Sequence, residues 1–166
     1  MKYITQMIMV FLLATLPLAA GELKIEWSNP EDFRDADYYY NGGEKSKEIV
    51  FNNLERYFKK QAEKRLPEGS VLTMKVTELD LAGDFEPWHA GVWDDVRIVK
   101  TIYPAIIEFD YQLVDADGNV LSEGSERLRE TMVPQSMSAE FIGRSELYPY
   151  VKVLVRDWMR KVAKKL

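Results

Sequence analysis

The stretch IEFDYQLVDADGNVLSEGSERLRET (residues 107–131) determines the fold of this chain more than any other. The apolar residues of its first half alternate with polar ones: Ile107, Phe109, Tyr111 and Leu113. This two-residue period is typical of a strand with one buried face. Residues 115–119 (DADGN) then form a tight turn, because Gly118 can adopt positive φ, and a partner strand follows over 120–131. The stretch therefore predicts an antiparallel hairpin rather than a calcium loop, since its glycine comes two positions too early for EF-hand spacing.

Two more strands are predicted upstream of the hairpin. Residues 23–27 (LKIEW) and 72–77 (LTMKVT) both alternate apolar with polar side chains. The alternation is lost after Thr77 and returns for a short strand at 96–99. Residues 31–43 (EDFRDADYYYNGG) are predicted to form a loop that lies on the domain, and we expect its three tyrosines at 38–40 to cover apolar surface with their hydroxyls in water.

Two segments have the period of an amphipathic helix. In residues 44–66 the apolar side chains share one face: Ile49, Val50, Leu54, Tyr57, Phe58 and Ala62. Pro67-Glu68-Gly69 ends this helix. The second helix begins at Pro149 and carries its own apolar stripe: Val151, Leu154, Val155, Trp158, Met159 and Val162. We interpret that stripe as core rather than as an oligomer contact.

Two amphipathic helices need an apolar surface to cover, and the half-buried strands provide one. The sequence therefore predicts a two-layer α+β domain, in which a mainly antiparallel sheet of about four to five strands packs against both helices. No composition shift, repeat or linker divides the chain after its first segment, so residues 22–166 are predicted to form a single domain.

The first 21 residues are predicted to be a signal peptide. Lys2 precedes the apolar run MIMVFLLATLPL (residues 7–18), and small residues follow it, with cleavage expected near Ala20 or Gly21. The run is about half of the ~20 residues that a bilayer span requires, so no transmembrane segment is expected after cleavage. The predicted location is the periplasm or the extracellular space.

The composition excludes several classes of protein. The 166 residues include no cysteine and one histidine, which rules out a disulfide framework, a cysteine nucleophile and a multi-histidine metal centre. Lys and Arg number 22 against 27 Asp and Glu, so a polybasic nucleic-acid binder is excluded. There is no GxSxG, GxGxxG or phosphate-loop pattern. We therefore predict no cofactor and no enzyme activity.

One segment stands out as a candidate site: DLAGDFEPWHAGVWDDVR, residues 80–97. It concentrates acids, aromatics, the one histidine and an arginine: Asp80, Asp84, Glu86, Trp88, His89, Trp93, Asp94, Asp95 and Arg97. In one interpretation it is a bulged crossover whose tryptophans close the sheet edge while the acids stay solvated. In the other it is a binding loop on a rigid scaffold.

The binding interpretation has three versions. The carboxylates and backbone carbonyls could hold Ca²⁺, which takes six to eight oxygen ligands. Alternatively, Trp88 and Trp93 stack on a sugar ring or a peptide side chain, with an acid accepting hydroxyl or amide protons. In the third version, Glu86 and Asp94 form an acid/base pair for hydrolysis, which requires environments that separate their pKa values.

Several linked motifs give the chain a family resemblance. They are VTELDLAGDFEPW (residues 76–88), WDDVRIVK (93–100), Tyr103-Pro104 and VDADG (114–118), together with NPEDF (29–33) and Arg156-Asp157-Trp158. In these motifs the chain resembles an uncharacterised family of small secreted proteobacterial proteins. The resemblance implies an exported single-domain protein and no catalytic residue.

These observations favour a non-catalytic binding or interaction module of the cell envelope. We expect it to be a monomer that binds an unidentified envelope protein or a small ligand through residues 80–97. The alternative is a hydrolase that acts on envelope glycans or peptides through its carboxylate pair.

Overall fold

A computed structural model of the chain describes residues 20–37, 43–86, 97–130 and 147–166. In chain order the elements are β1 (Glu22–Trp27), a 3-10 turn (Pro30–Asp32), α1 (Gly43–Arg65), β2 (Val71–Asp80), β3 (Asp84–Phe85), β4 (Arg97–Ile98), β5 (Ala105–Val114), β6 (Val120–Glu130) and α2 (Pro149–Ala163). The predicted loop tyrosines at 38–40 lie outside the described residues, as does most of the predicted signal peptide.

The main sheet has four strands in the order β1-β2-β5-β6. β2, β5 and β6 are antiparallel neighbours, whereas β1 and β2 are parallel, with α1 as the crossover between them. The predicted α+β class, strand number and mainly antiparallel sheet are confirmed. The short strand predicted at 96–99 is present as β4, but it pairs with β3 in a separate two-stranded sheet.

Both helices cover one face of the main sheet, which we call the inner face. α1 places Leu54 and Phe58 in the core, where both are fully buried. On α2, the indole of Trp158 meets two rings of β5 edge to face, Phe109 at 4.7 Å and Tyr111 at 4.9 Å between centroids. Of the predicted α2 stripe, five residues are buried and Leu154 packs partly buried against them, so the stripe is core.

A β-bulge changes which side chains of β2 face the helices. Up to Val76 the even-numbered residues are buried, but the pairing with β5 then shifts, so that Glu78 rather than Thr77 lies opposite Glu108. From that point Leu79 faces the core and Asp80 faces the opposite, outer face of the sheet. The bulge is the physical reason why the sequence loses its alternation after Thr77.

The hairpin turn between β5 and β6 is held by the side chain of Asp115. Its Oδ1 accepts the backbone N–H groups of Asp117 at 2.9 Å and Asn119 at 2.8 Å, and its Oδ2 accepts the Asn119 amide. These bonds lower the pKa of the Asp115 carboxyl, the Asn119 side chain contributing most. Gly118 has φ +86, as the turn requires. The predicted turn is thus confirmed.

Neither helix in the described part of the chain combines the length and the apolar character needed to cross a membrane.

Candidate functional site

The structure describes four of the nine candidate residues: Asp80, Asp84, Glu86 and Arg97. The other five lie outside the described residues: Trp88, His89, Trp93, Asp94 and Asp95. The stacking role of the tryptophans and the pairing of Glu86 with Asp94 therefore stay predictions. The four described residues all lie at the end of the sheet where β2 finishes and β5 begins.

The chain returns to this end of the sheet after β1. Beyond the 3-10 turn, Asp35 makes a parallel bridge with Asp80, next to the end of β2. The Asp35 N–H donates to the carbonyl of Leu79 at 3.2 Å, and the Leu81 N–H donates to the carbonyl of Asp35 at 2.9 Å. The segment 33–37 thus extends the sheet beyond the last residue of β1 and brings its acids beside those of β2.

Arg97 ties three segments together. Its guanidinium binds both carboxylate oxygens of Asp35, with 2.9 Å from Nη2 to Oδ1 and a second bond from Nη1 to Oδ2. It also donates to the carbonyls of Gly83 at 2.9 Å and Asp37 at 2.8 Å, and it lies 4.6 Å from the centroid of the Phe85 ring. The forked geometry of arginine allows all four acceptors to be satisfied at once. Arg97 is therefore a structural clamp for this region.

Gly83, whose carbonyl accepts a hydrogen bond from Arg97, occupies a position that requires a glycine. Its φ is +88, a conformation that residues with a Cβ rarely adopt, and an added Cβ would lie 2.9 Å from the Ile98 carbonyl oxygen. The glycine thus allows β4 to approach the end of β2 closely.

A second arginine reaches Asp80 from the same returning segment. Nη1 of Arg34 lies 3.2 Å from Oδ2 of Asp80, and the Arg34 backbone N–H donates to Oε1 of Glu78 at 2.8 Å. Burial raises the pKa of the Asp80 carboxyl, and the hydrogen bond from Arg34 only partly opposes this effect. The Arg34 side chain is 60% exposed, so its attraction for Asp80 is screened by water.

We expect the variant Asp80→Asn to be at least as stable as the wild type at pH 7. A carboxyl whose pKa is raised on folding stabilises the protein below its unfolded pKa, and this contribution is lost as the pH rises through the folded pKa. Asparagine does not titrate, so the stability of the variant relative to the wild type should increase between pH 4 and pH 7. Urea unfolding at the two pH values measures this, and a relative loss on going to pH 7 would contradict a dominant effect of burial.

Glu86 is buried and fully engaged. Its carboxylate oxygens each lie 2.6 Å from Nζ of Lys100, and Oε1 also accepts the Tyr103 hydroxyl at 2.7 Å. The side chain is 2% exposed, so the expectation that the acids of this segment stay solvated is wrong for Glu86. The bond to Glu86 raises the pKa of the Tyr103 hydroxyl. This arrangement favours a structural role for Glu86 over that of a catalytic acid or base.

Residues held in place by these contacts, among them Asp35, Gly83 and Tyr103, line an open cleft on the outer face of the sheet, which we call the outer cleft. Its volume is about 590 Å³, within the usual range for ligand sites. Ile106, which is buried but not part of the main core, lies at its floor between Asp80 and Arg129 in the strand register. The other lining residues come from four segments: Arg34, Asp35, Asp37, Gly83, Asp84, Phe85, Ile102, Tyr103, Pro104 and Arg127.

The outer cleft presents charges of both signs that the clamp does not use. Arg129 lines it from β6 and makes no ion pair within the described ranges. Asp84 lines it from β3, and its Oδ1 accepts only the adjacent Phe85 N–H, at 2.7 Å, among the described contacts. No group of three or more His, Asp or Glu side chains in the described residues has the geometry of a metal site. The described lining of the cleft therefore combines charged groups of both signs with some apolar surface.

Sequence reasoning missed several residues of this site. Asp35 and Arg34 fall in residues 31–43, which the sequence predicts to be a surface loop. Lys100 and Tyr103 belong to the family motifs, but the motifs assign them no role. Arg129 could have been found from the alternation of β6, which places it on the same face as Arg127.

Comparison with known proteins identifies a family and low-identity structural similarities. A family model described as "Protein of unknown function (DUF3016)" matches residues 21–161. None of the curated proteins compared with the sequence matches it.

Three solved structures resemble the chain at 10% sequence identity. A PelC dodecamer from Paraburkholderia phytofirmans carrying one substitution has a TM-score of 0.39 and covers 88% of this chain and 86% of its own. A second PelC dodecamer from that organism has a TM-score of 0.36 and covers 91% of each chain. A minor lipoprotein from Acinetobacter baumannii has a TM-score of 0.31, with 90% of this chain and 93% of its own covered. These similarities establish neither a shared activity nor a shared assembly.

Proposed function

Because the chain belongs to the DUF3016 family, whose description assigns no activity, we propose its function from its own sequence and geometry. We propose that it is an exported, non-catalytic binding module of the cell envelope that takes its ligand in the outer cleft. The location rests on the predicted signal peptide in residues 1–21. Two observations support cleavage near Gly21: β1 begins at Glu22, and the family match begins at residue 21.

The observation that carries the proposal is a cleft whose walls are held in place by the Arg97 clamp and which also presents charged side chains that the clamp does not use. Arg97 and its four acceptors hold the walls of the outer cleft, so a ligand does not have to order them. Arg129 and Asp84 then offer a cation and an anion from different strands. Of the predicted catalytic pair Glu86 and Asp94, the structure describes Glu86, and its carboxylate is already bound by Lys100 and Tyr103. Binding therefore explains the cleft better than hydrolysis does.

The ligand class that fits is a short segment of peptide or an amino-sugar glycan. Both carry hydrogen-bonding groups of each kind together with apolar surface, which matches the mixed lining and the Ile106 floor. In either case, the predicted stacking of Trp88 and Trp93 would add to the affinity from the adjoining segment.

A thermal-shift screen of the purified chain tests the proposal. The probes are mixed-charge envelope peptides, glycan fragments and Ca²⁺. A ligand at about 100 times its Kd contributes about 2.7 kcal/mol, which is expected to raise Tm by roughly 5–10 °C. We expect a peptide or glycan to produce this shift and Arg129→Ala and Asp84→Asn each to reduce it.

The control is Arg56→Ala, because Arg56 lies on α1, away from the outer cleft. It should leave the shift unchanged. The proposal fails if none of the probes raises Tm, or if the shift survives unchanged in both cleft variants.

A further inference from the structure

β6 forms an edge of the main sheet. The strand order places β5 on one side of it, and no strand pairs with its other side within the described ranges. Its pairing with β5 runs from Val120 to Glu130, so the outer edge offers a long row of backbone donors and acceptors. Such an edge accepts another strand readily unless its side chains prevent it.

Two side chains of opposite charge lie at equal distances from Ser125 along β6. Glu123 lies two residues before Ser125, and Arg127 lies two residues after it. Side chains two positions apart in a strand share a face, so both project on the outer face together with Ser125. If a second copy of β6 runs antiparallel about an axis through Ser125, each Glu123 lies opposite the Arg127 of the other copy. The arrangement forms both pairs by symmetry.

Each neighbouring register either sets like charges against each other or forms no opposite-charge pair. Moving the axis to Glu126 brings Glu123 opposite Arg129, but it also sets the two Glu126 carboxylates against each other at the axis. Moving it to Arg127 or Glu123 again sets like charges against each other. An axis through Gly124 places no opposite charges in direct register. The same side chains that oppose arbitrary strand addition therefore favour a single self-complementary register.

The side chains concerned are already oriented on the outer face by contacts within the chain. Nε of Arg127 lies 2.8 Å from Oε1 of Glu108, and Glu123 accepts the Gln112 amide at 3.0 Å. The Arg127 side chain remains 59% exposed, which leaves it donors for a second carboxylate. Pairing with a second copy would therefore extend these rows of paired side chains on the outer face across the edge of the sheet.

We propose that two copies of this chain associate through antiparallel pairing of their β6 strands around Ser125, which joins their four-stranded sheets into one. The dimer has a two-fold axis at Ser125 and two Glu123–Arg127 pairs between the copies. This replaces the expectation of a monomer.

A cysteine at the axis tests the geometry. The chain contains no cysteine, so Ser125→Cys introduces a single thiol. Directly opposed residues of antiparallel strands have Cα atoms roughly 4.5–5.5 Å apart, within the reach of a disulfide. We expect Ser125→Cys to form a covalent dimer rapidly in mild oxidant. Thr73→Cys, an exposed site on β2 of the same sheet, should cross-link only slowly. Equal rates for the two variants would overturn the proposal.

A charge swap tests the register. Sedimentation of the wild-type chain should show a monomer–dimer equilibrium, and Arg127→Glu or Glu123→Arg alone should weaken association about tenfold or more. The double variant Glu123→Arg/Arg127→Glu should recover most of the loss, because it restores both opposite-charge pairs across the axis. Lys75→Glu, on β2, is the control and should have little effect. A wild type that stays monomeric at high concentration, or a double variant as weak as the single ones, refutes the proposal.

Discussion

Replacement of Arg97 by methionine should lower the free energy of unfolding by about 2–4 kcal/mol. The change leaves the Asp35 carboxylate, whose side chain is 19% exposed, without its bidentate partner. It also removes the donors to the Gly83 and Asp37 carbonyls. Breaking a buried pair from one side is costly because the remaining charge stays desolvated, and the partial exposure here moderates that cost. Urea unfolding at pH 7 measures the loss.

Arg34 provides the matched control for this experiment. It is also an arginine paired with an aspartate at the outer cleft, but its side chain is 60% exposed. We expect Arg34→Met to cost less than about 1 kcal/mol. If the two methionine variants lose the same stability, burial is not what gives the Arg97 clamp its strength.

Truncation of Trp158 to alanine should cost about 3–5 kcal/mol, or a fall in Tm of roughly 6–20 °C. The indole is 4% exposed and lies against both Phe109 and Tyr111, so its removal leaves a cavity between α2 and β5. The edge-to-face contacts are lost as well. Calorimetry of the purified variant gives the change directly.

Trp158→Phe separates the ring contacts from the indole nitrogen. Nε1 of Trp158 is buried and finds no hydrogen-bond partner within the described residues. Phenylalanine keeps an aromatic ring in place and removes this donor, so we expect less than half of the loss seen with alanine. A phenylalanine variant as unstable as the alanine variant would show that contacts specific to the indole, rather than the buried volume or an aromatic ring as such, control the stability here.

The elements with a local period were predictable from the sequence. The β5–β6 hairpin follows from alternating side chains around a glycine turn, and both helices follow from single apolar stripes. In each case the information lies within a few neighbouring residues. The parallel placement of β1 beside β2 was not predictable, because it depends on how α1 crosses the sheet.

The candidate site was only partly predictable, for a related reason. Arg97 was singled out, but its partner Asp35 lies 62 positions away along the chain. No local pattern connects the two. The bulge at Thr77 also escaped prediction, although the loss of alternation after it was visible, and it is the bulge that turns Asp80 toward the outer cleft. Glu86 looked like a solvated acid because nothing in the sequence brings Lys100 and Tyr103 to it.

The crossover between β1 and β2 has a kinetic consequence. Hairpin contacts between β5 and β6 close a short loop, so their entropic cost is small and they can form early during folding. Pairing of Glu22 with Val71 closes a much longer loop that contains all of α1, so its entropic cost is higher and we expect it to form later. We therefore expect β1 to pair with β2 after the hairpin has formed, and this pairing completes the four-stranded sheet.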